Sequence, residues 1–369
     1  MKETTEGAIR SPFHAAHSAL GATFMEEGGW LWTESFGDLD AEYRAVRDDL
    51  GVWDVSPLNK WDFSGRDALR AAARLHTNNV PSLKVGQVHY GAFCDSDGLM
   101  VDDGTVFKIS DDHAWVMTNA REHEVHFAEV TRGMDVKIEF VGLDMPHLGL
   151  QGPRAREALA EVCSVDITQL RYFHFIPEPV KVGGVPCFVS RTGFGGELGY
   201  ELFCRPRDAE ALWEVVHERC RATPFGVGAI EVLRIEAGLI VTGYDYQAHE
   251  RSPFDFSFDR LVSFDGDDFN GKEALRAIAK KPPQRFMTLV LEADELPEYG
   301  AAVTSDGEPA GTLTSPTRSP RFGTIGLAVL ALRFADPGTQ LQVAHGEGTV
   351  DAKVEVLPIY DPGKRRPRA

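Results

Sequence analysis

Ser190-Arg191-Thr192-Gly193-Phe194-Gly195-Gly196-Glu197-Leu198-Gly199-Tyr200-Glu201-Leu202-Phe203 is the stretch on which the reading of this chain turns. Upstream, Val185, Cys187 and Val189 alternate as the end of a strand, and the quoted run then becomes a loop holding four glycines. It leaves as a second strand with Tyr200, Leu202 and Cys204 on one face and Glu201 and Phe203 on the other, since strand side chains alternate. Glycine lets a backbone turn at positive φ and approach a flat ligand closely. Burying a carboxylate is costly unless it is paired. Glu201 therefore faces either water, in a plain hairpin, or a cavity where a polar group meets it. The local pattern leaves both readings open.

Composition narrows the classes. The 369 residues allow a large core and two or three domains, and 43% hydrophobic with 25% charged residues describes a soluble globular protein. A formal net charge of −18 repels phosphate backbones, so nucleic acid is not an expected partner. No apolar run is long enough to span a bilayer. Met1 to Arg10 is polar and does not read as a signal peptide, so a cytoplasmic location is expected. The five cysteines show no C-x-x-C, and His14 and His17 read as surface residues without a nearby carboxylate, so neither a disulfide framework nor a metal site is expected. No G-x-G-x-x-G, G-x-x-x-x-G-K-[ST] or G-x-S-x-G occurs. The tail Lys364, Arg365, Arg366, Arg368 reads as a solvated basic end over residues 361–369.

Along the chain, Leu39, Tyr43, Val46 and Leu50 recur at helical spacing over Asp38 to Leu50. Gly51 to Val55 and Lys60 to Ser64 read as strands, Asp67 to His76 as a helix. Val88 to Phe93, the turn Asp95-Ser96-Asp97-Gly98 and Leu99-Met100-Val101 make a hairpin. Asp102 and Asp103 follow on the return strand and must face opposite sides, so one can be solvated while the other points into a pocket. A surface pair is the bland alternative. Helices are expected at Arg154 to Val162 and Asp208 to Arg221. Past a linker at Lys280-Lys281-Pro282-Pro283, alternating segments over 284–360 predict a small antiparallel barrel.

Several of these segments together resemble the folate-dependent T-protein family. That family includes the aminomethyltransferase of the glycine cleavage system and tetrahydrofolate-dependent demethylases. Thr192 to Glu201 is similar to T-G-Y-x-G-E-x-G-Y/F-E, with Phe194 in the Tyr place. Gly51 to Ser56 matches G-x-x-D-V-S, Asp102-Asp103 follows the family's G-G-x-x-D-D, and Gln151-Gly152-Pro153 its Q-G-P. The resemblance covers about residues 11–360. It implies an α+β protein with a three-domain, cloverleaf-like arrangement of mixed and antiparallel sheets around a central folate cavity. The catalytic region would be 1–280, as two interleaved subdomains, followed by the C-terminal barrel. Tetrahydrofolate is the implied cofactor. Glu201 would hydrogen-bond the pterin, Asp102 would act beside the one-carbon-accepting nitrogens, and Tyr90, Asn119, Phe194 and Tyr200 would line the same cavity.

Gly228 to Gly238 matches A-R-D-x-L-R-L-E-A-G except that Ile230 stands where glycine cleavage enzymes carry Arg. An apolar side chain cannot make the charge-assisted hydrogen bonds of an Arg. With the Gly238-Leu239-Ile240 segment, this favours a demethylase moving a methyl group from a small O-, N- or S-methylated donor. The alternatives are aminomethyl transfer with a lipoyl carrier protein, a less favoured partner, and a non-catalytic folate-binding protein. Ile230 and Arg234 mark the substrate region, with Arg234 and Glu236 expected either as a buried ion pair or as pocket wall.

Overall fold

The computed structural model describes residues 7–282 and 284–369. The N-terminal part of the polar Met1 to Arg10 stretch and the linker residue Pro283 lie outside them.

Two sheets carry the first part of the chain. A five-stranded antiparallel sheet runs in the order Val88–Cys94, Met100–Ser110, His113–Thr118, Asn59–Ser64, Lys137–Phe140. A six-stranded sheet runs Val180–Val182, Val185–Ser190, Gly199–Phe203, His147–Gln151, Gly51–Asp54, Thr223–Pro224, and only its last pair is parallel. The first sheet is thus spliced in sequence between two runs that build the second. A three-stranded sheet, Ile9–Arg10, Trp30–Ser35 and Thr23–Glu27, lies N-terminal to both in sequence. The expected barrel is present: Gln284–Leu291, Gly323–Ala331, Glu308–Ser319, Ala301–Ser305, Gln340–His345 and Gly348–Glu355 close on themselves. The fold is α+β with a closed six-stranded C-terminal barrel.

The helices follow their local signals. Asp38 caps Leu39–Asp48 by accepting from the Ala41 amide at 2.9 Å. Tyr43 and Val46 on that helix are buried, whereas Leu39, expected in the same stripe, is 45% exposed. Ala155–Val162 starts behind the Gln151-Gly152-Pro153 turn, and the segment ending at Gly238 is the helix Val227–Glu236. The helix Ala209–Glu214 runs into one π turn, Val215–Arg219.

A buried charge cluster joins these parts. The Arg47 guanidinium has no exposed surface, and its Nε and Nη2 donate to Glu236 Oε2 at 2.9 and 2.8 Å. Its Nη1 donates to the Gly195 carbonyl at 2.6 Å and lies 3.4 Å from Glu197 Oε1. Glu236 also accepts from Tyr43 at 2.8 Å and from the barrel residue Ser319 at 2.5 Å. The Tyr360 ring stacks on the guanidinium, 3.9 Å from centroid to Cζ. The expected Arg234–Glu236 pair is therefore not formed. Arg234 instead pairs with Asp245 at 2.7 Å and with both oxygens of Glu231, and donates to Ser315 of the barrel at 2.8 Å. Spacing along the helix explains it, because residues two apart face different sides.

His17 also departs from its surface reading: it is 1% exposed, against Trp213, with Nδ1 2.8 Å from Thr33 Oγ1. The basic side chains Lys364, Arg365, Arg366 and Arg368 are exposed, as expected of a solvated end, while the tail also touches the body of the protein. Arg366 lies 3.5 Å from Glu197, and the terminal Ala369 carbonyl accepts from Arg156 and Arg191. Among the described residues no helix is long and apolar enough to cross a membrane.

Removing one member of a buried pair leaves the other uncompensated, at a cost of roughly 3–5 kcal/mol. Arg47→Met is expected to lose stability on that scale in urea unfolding. Arg154→Ala, which breaks the exposed 2.8 Å pair with Asp49, is expected to lose under about 1 kcal/mol. Equal losses would show that the cluster is not what joins the parts.

Candidate functional site

The glycine loop is held rather than free. Its two strands pair with Ser190 opposite Glu201, and the Gly195 amide donates to Gln151 Oε1 at 2.8 Å. A Cβ on Gly195 would stand 2.6 Å from that oxygen, and Gly196 turns at φ +77° against Ala237. Both glycines are needed for the loop to lie this close to its neighbours. The Q-G-P segment thus serves the site through Gln151, as a tether.

The loop borders a cavity of about 450 Å³, of the size that takes a drug-sized ligand. Glu201 lies in its wall, as one of the two readings of the hairpin required. Its Oε2 accepts from Thr192 Oγ1, while among the described residues nothing donates to Oε1. The nearest ring nitrogen, His147 Nε2, is 3.9 Å away. Burial pushes the Glu201 carboxyl upward, and the Thr192 hydrogen bond and the Lys60 charge hold it down. Lys60 is fully buried with Nζ on the Ser56 carbonyl at 3.0 Å, and burial presses its ammonium down to about 7.

The aspartate pair divides between two sides, and the one in the cavity wall is Asp103, where Asp102 was expected. Asp102 points away from the cavity. Its Oδ2 accepts from the Asn119 and Ala120 amides at 2.9 and 3.0 Å and lies 2.7 Å from His123 Nε2; its Oδ1 accepts from Asn119 Nδ2 at 2.8 Å. It fixes the turn after the strand His113–Thr118. Asp103 is the carboxylate in the cavity wall. Tyr90 donates to its Oδ2 at 2.8 Å and Tyr246 to its Oδ1 at 2.5 Å. Burial, then the Asp102 charge, raises Asp103 to about 7, against the pull of the two tyrosines and Asn119. This placement has a local cause. The hairpin register jumps from Cys94–Met100 to Phe93–Asp102, so Val101 is a bulge that resets the alternation.

Of the other expected residues, Tyr90, Asn119, Phe194 and Ile230 reach the cavity. Tyr200 does not: it is fully buried in the apolar core behind the six-stranded sheet, on the face opposite Glu201. Arg234 is likewise buried behind the wall in its ion pairs, so it is scaffold. Sequence reading missed Tyr246, Lys60 and the tail, from which Tyr360, Asp361, Lys364 and Pro367 border the cavity. Tyr246 lies 143 positions from Asp103, and no local signal links them. Trp30, Trp32 and Trp53 form a flat apolar side. Glu201 and Asp103 stand in this cavity as two separately held carboxylates, and Glu27, Glu197, Glu231 and Asp361 also border it.

Comparison with known proteins agrees with this architecture. Residues 13–266 match the GCVT N-terminal domain and residues 284–361 the glycine cleavage T-protein C-terminal barrel domain. An aminomethyltransferase of Anoxybacillus flavithermus is 33% identical over 359 residues, covering 95% of this chain and 98% of the relative. A probable aminomethyltransferase of Halobacterium salinarum is 34% identical over 367 residues, covering 96% and 99%. The crystal structure of glycine cleavage system aminomethyltransferase T from Bartonella henselae shares the fold, with a TM-score of 0.86 at 22% identity over 96% of this chain and 98% of that one. The chain belongs to the glycine cleavage T-protein family, a family of transferase enzymes.

Proposed function

We propose that this enzyme moves a one-carbon group to tetrahydrofolate, and that its donor is a small, free methylated molecule. The observation that carries the reading is the pairing of Glu201 and Asp103 in one cavity with Ile230 in its wall. The residues fit a reduced pterin. Glu201 Oε1 is an open acceptor at the glycine loop, suited to the N–H edge of such a ring, and the tryptophan side suits its flat faces. Tetrahydrofolate, when bound, supplies the nucleophilic nitrogen. Glu201 then anchors the ring, and Asp103 offers a nearby site for the proton that nitrogen must lose. Tyr90 and Tyr246 fix the Asp103 carboxylate so that it is aimed before substrate arrives. Ile230 adds apolar surface to the wall, which suits contact with a methyl group.

The names of the relatives favour a second reading, aminomethyl transfer from a lipoyl carrier protein. Mass analysis of the folate product separates the two. Methyl-tetrahydrofolate from a free donor without any carrier supports the proposal; methylene-tetrahydrofolate formed only with aminomethylated carrier protein overturns it.

Glu201→Ala should weaken tetrahydrofolate binding by roughly 1.5–3 kcal/mol in calorimetric titration, the worth of a hydrogen bond to a charged group. Unchanged affinity would remove Glu201 from the site.

Asp103→Asn should slow turnover roughly 10²–10⁴-fold with a smaller effect on folate affinity. The wild-type rate should rise with pH through about 7 as Asp103 ionises, and the variant should lose that limb. Stability carries the opposite sign. The native state keeps a proton that the unfolded chain releases, so this group's contribution falls as pH climbs from 3.8 to about 7 and is flat above. A rate profile without a limb near 7 would contradict the assignment.

A further inference from the structure

The face of the six-stranded sheet that carries Glu201 holds a buried polar cluster behind the cavity wall. His147 pairs in register with Phe203 and their rings stack at 4.5 Å, so both stand on the same face as Glu201, two residues from Phe203. His147 Nε2 stops 3.9 Å from Glu201 Oε1, beyond hydrogen-bond reach, and among the described residues neither ring nitrogen has a hydrogen-bond partner. The His147 amide donates to Ser56 Oγ at 3.2 Å, and the Ser56 carbonyl accepts from Lys60 Nζ at 3.0 Å. Ser56 thus ties His147 and Lys60 together. Both are fully buried, while the Glu201 side chain keeps 13% of its surface open, in the cavity wall.

The charges around this cluster are few. Lys60 faces Asp54, then Glu201 and Cys204; its charge reaches His147, and Tyr172 faces Glu201 from a loop, with Arg191 and Arg368 beyond it. Burial holds His147 well below the usual imidazole range and pushes the Cys204 thiol and the Tyr172 phenol up to about 12, so all three are neutral near pH 7. Two carboxylates and one ammonium remain. The carboxylates are not equally provided for. Asp54 accepts from Ser11 Oγ and from the Ser56 amide at 2.9 Å. Glu201 accepts from the Thr192 hydroxyl, and Lys60 is the charge that offsets its burial. Protonation decides what this wall can bind. An ionised carboxylate only accepts hydrogen bonds, as the N–H edge of a pterin requires, whereas a protonated carboxyl sets a competing O–H against that edge.

We propose that Lys60 is the buried counter-ion that keeps Glu201 ionised, and so a positioning residue for a folate that it never touches. This rests on the folate reading above. With no exposed surface Lys60 cannot meet the ligand, so it acts through Glu201. Thr192 holds Oε2, Lys60 supplies the charge, and Oε1 is left as the acceptor. Without the ammonium, burial drives the carboxyl toward its neutral form, and binding of the ring becomes coupled to loss of a proton. In Lys60→Met the affinity for tetrahydrofolate should therefore fall as pH drops and recover as pH rises. The coupling is reciprocal. Glu201→Gln removes an anion that helps keep Lys60 charged, so Lys60 should then titrate below its value of about 7.

The test reads the two ionisations directly and the folate separately. Carboxyl resonances of isotope-labelled glutamate are followed against pH in the ligand-free full chain, with Glu201→Gln identifying the Glu201 signal. Lys60→Met should move that ionisation up by about one pH unit or more. If Lys60→Met does not fold, labelled lysine in Glu201→Gln carries the same test: the lysine that titrates near 7 should shift down by a similar amount. In calorimetric titration with tetrahydrofolate, Lys60→Met should bind about tenfold more weakly than wild type below both ionisations and within about twofold of it above them. An unmoved Glu201 ionisation, an unmoved lysine, or a loss of folate affinity of one size at every pH would each overturn the proposal; the last is what a packing defect alone would give. If the wild-type protein binds no tetrahydrofolate, the folate reading falls, and the carboxyl titration decides the Lys60–Glu201 pairing by itself.

Discussion

The fully buried Arg47 guanidinium sets the geometry on which the rest depends. It is bound at once to Glu236 at the end of one helix, to the Gly195 carbonyl in the glycine loop and to the Tyr360 ring near the end of the chain. Through Glu236 it also reaches Ser319 of the barrel. An unsolvated charge has to satisfy its donors within the protein, so these segments cannot shift independently. The loop that carries Glu201 into the cavity is thereby referenced to the barrel and to the tail. Arg234, with Asp245, Glu231 and Ser315, repeats the device on the other side of the same helix. One helix, Val227–Glu236, thus presents Ile230 and Glu231 to the cavity while its arginine and its last glutamate bind the surrounding domains.

Two carboxylates then do different work because their surroundings differ. Asp102 sits among two backbone amides, an asparagine and a histidine, a setting that satisfies its charge. Asp103, one residue on, has two phenols and a cavity, with Asp102 as a like charge behind it. Burial and that neighbouring charge raise Asp103, which in the proposed reaction is the proton acceptor. Lys60 and Glu201 show the same logic with opposite signs: each is moved toward neutrality by burial, and each holds the other partly charged.

Much of this was legible in the sequence. The barrel, the hairpin with its Asp pair and the glycine loop all rest on local periodicity and turn chemistry, and those signals survive folding. Glu201 was legible through the resemblance of Thr192 to Glu201 to a family pattern, since the local pattern alone fits a hairpin with that carboxylate in water equally well. The choice between Asp102 and Asp103 was not, since a one-residue bulge at Val101 decides it and nothing in the local composition marks a bulge. Tyr200 illustrates the reverse case: strict alternation already put it on the face away from Glu201, and the core behind the sheet takes it. The Arg47–Glu236 and Tyr246–Asp103 contacts join residues 189 and 143 positions apart, and only the folded chain can reveal such partners. The tail's basic residues are exposed, as their charge suggests, but the contact of Arg366 with the buried Glu197 leaves no local signal in the sequence.

The central claim is that Glu201 and Asp103 grip one ligand from two walls of one cavity. A crystal structure of the tetrahydrofolate complex tests it most directly. The account places the pterin N–H edge within hydrogen-bond distance of Glu201 and the one-carbon-accepting nitrogens beside Asp103, with Asp102 still bound to the Asn119 and Ala120 amides. Electron density with the pterin elsewhere, or with Asp102 turned onto the ligand in place of Asp103, would contradict it.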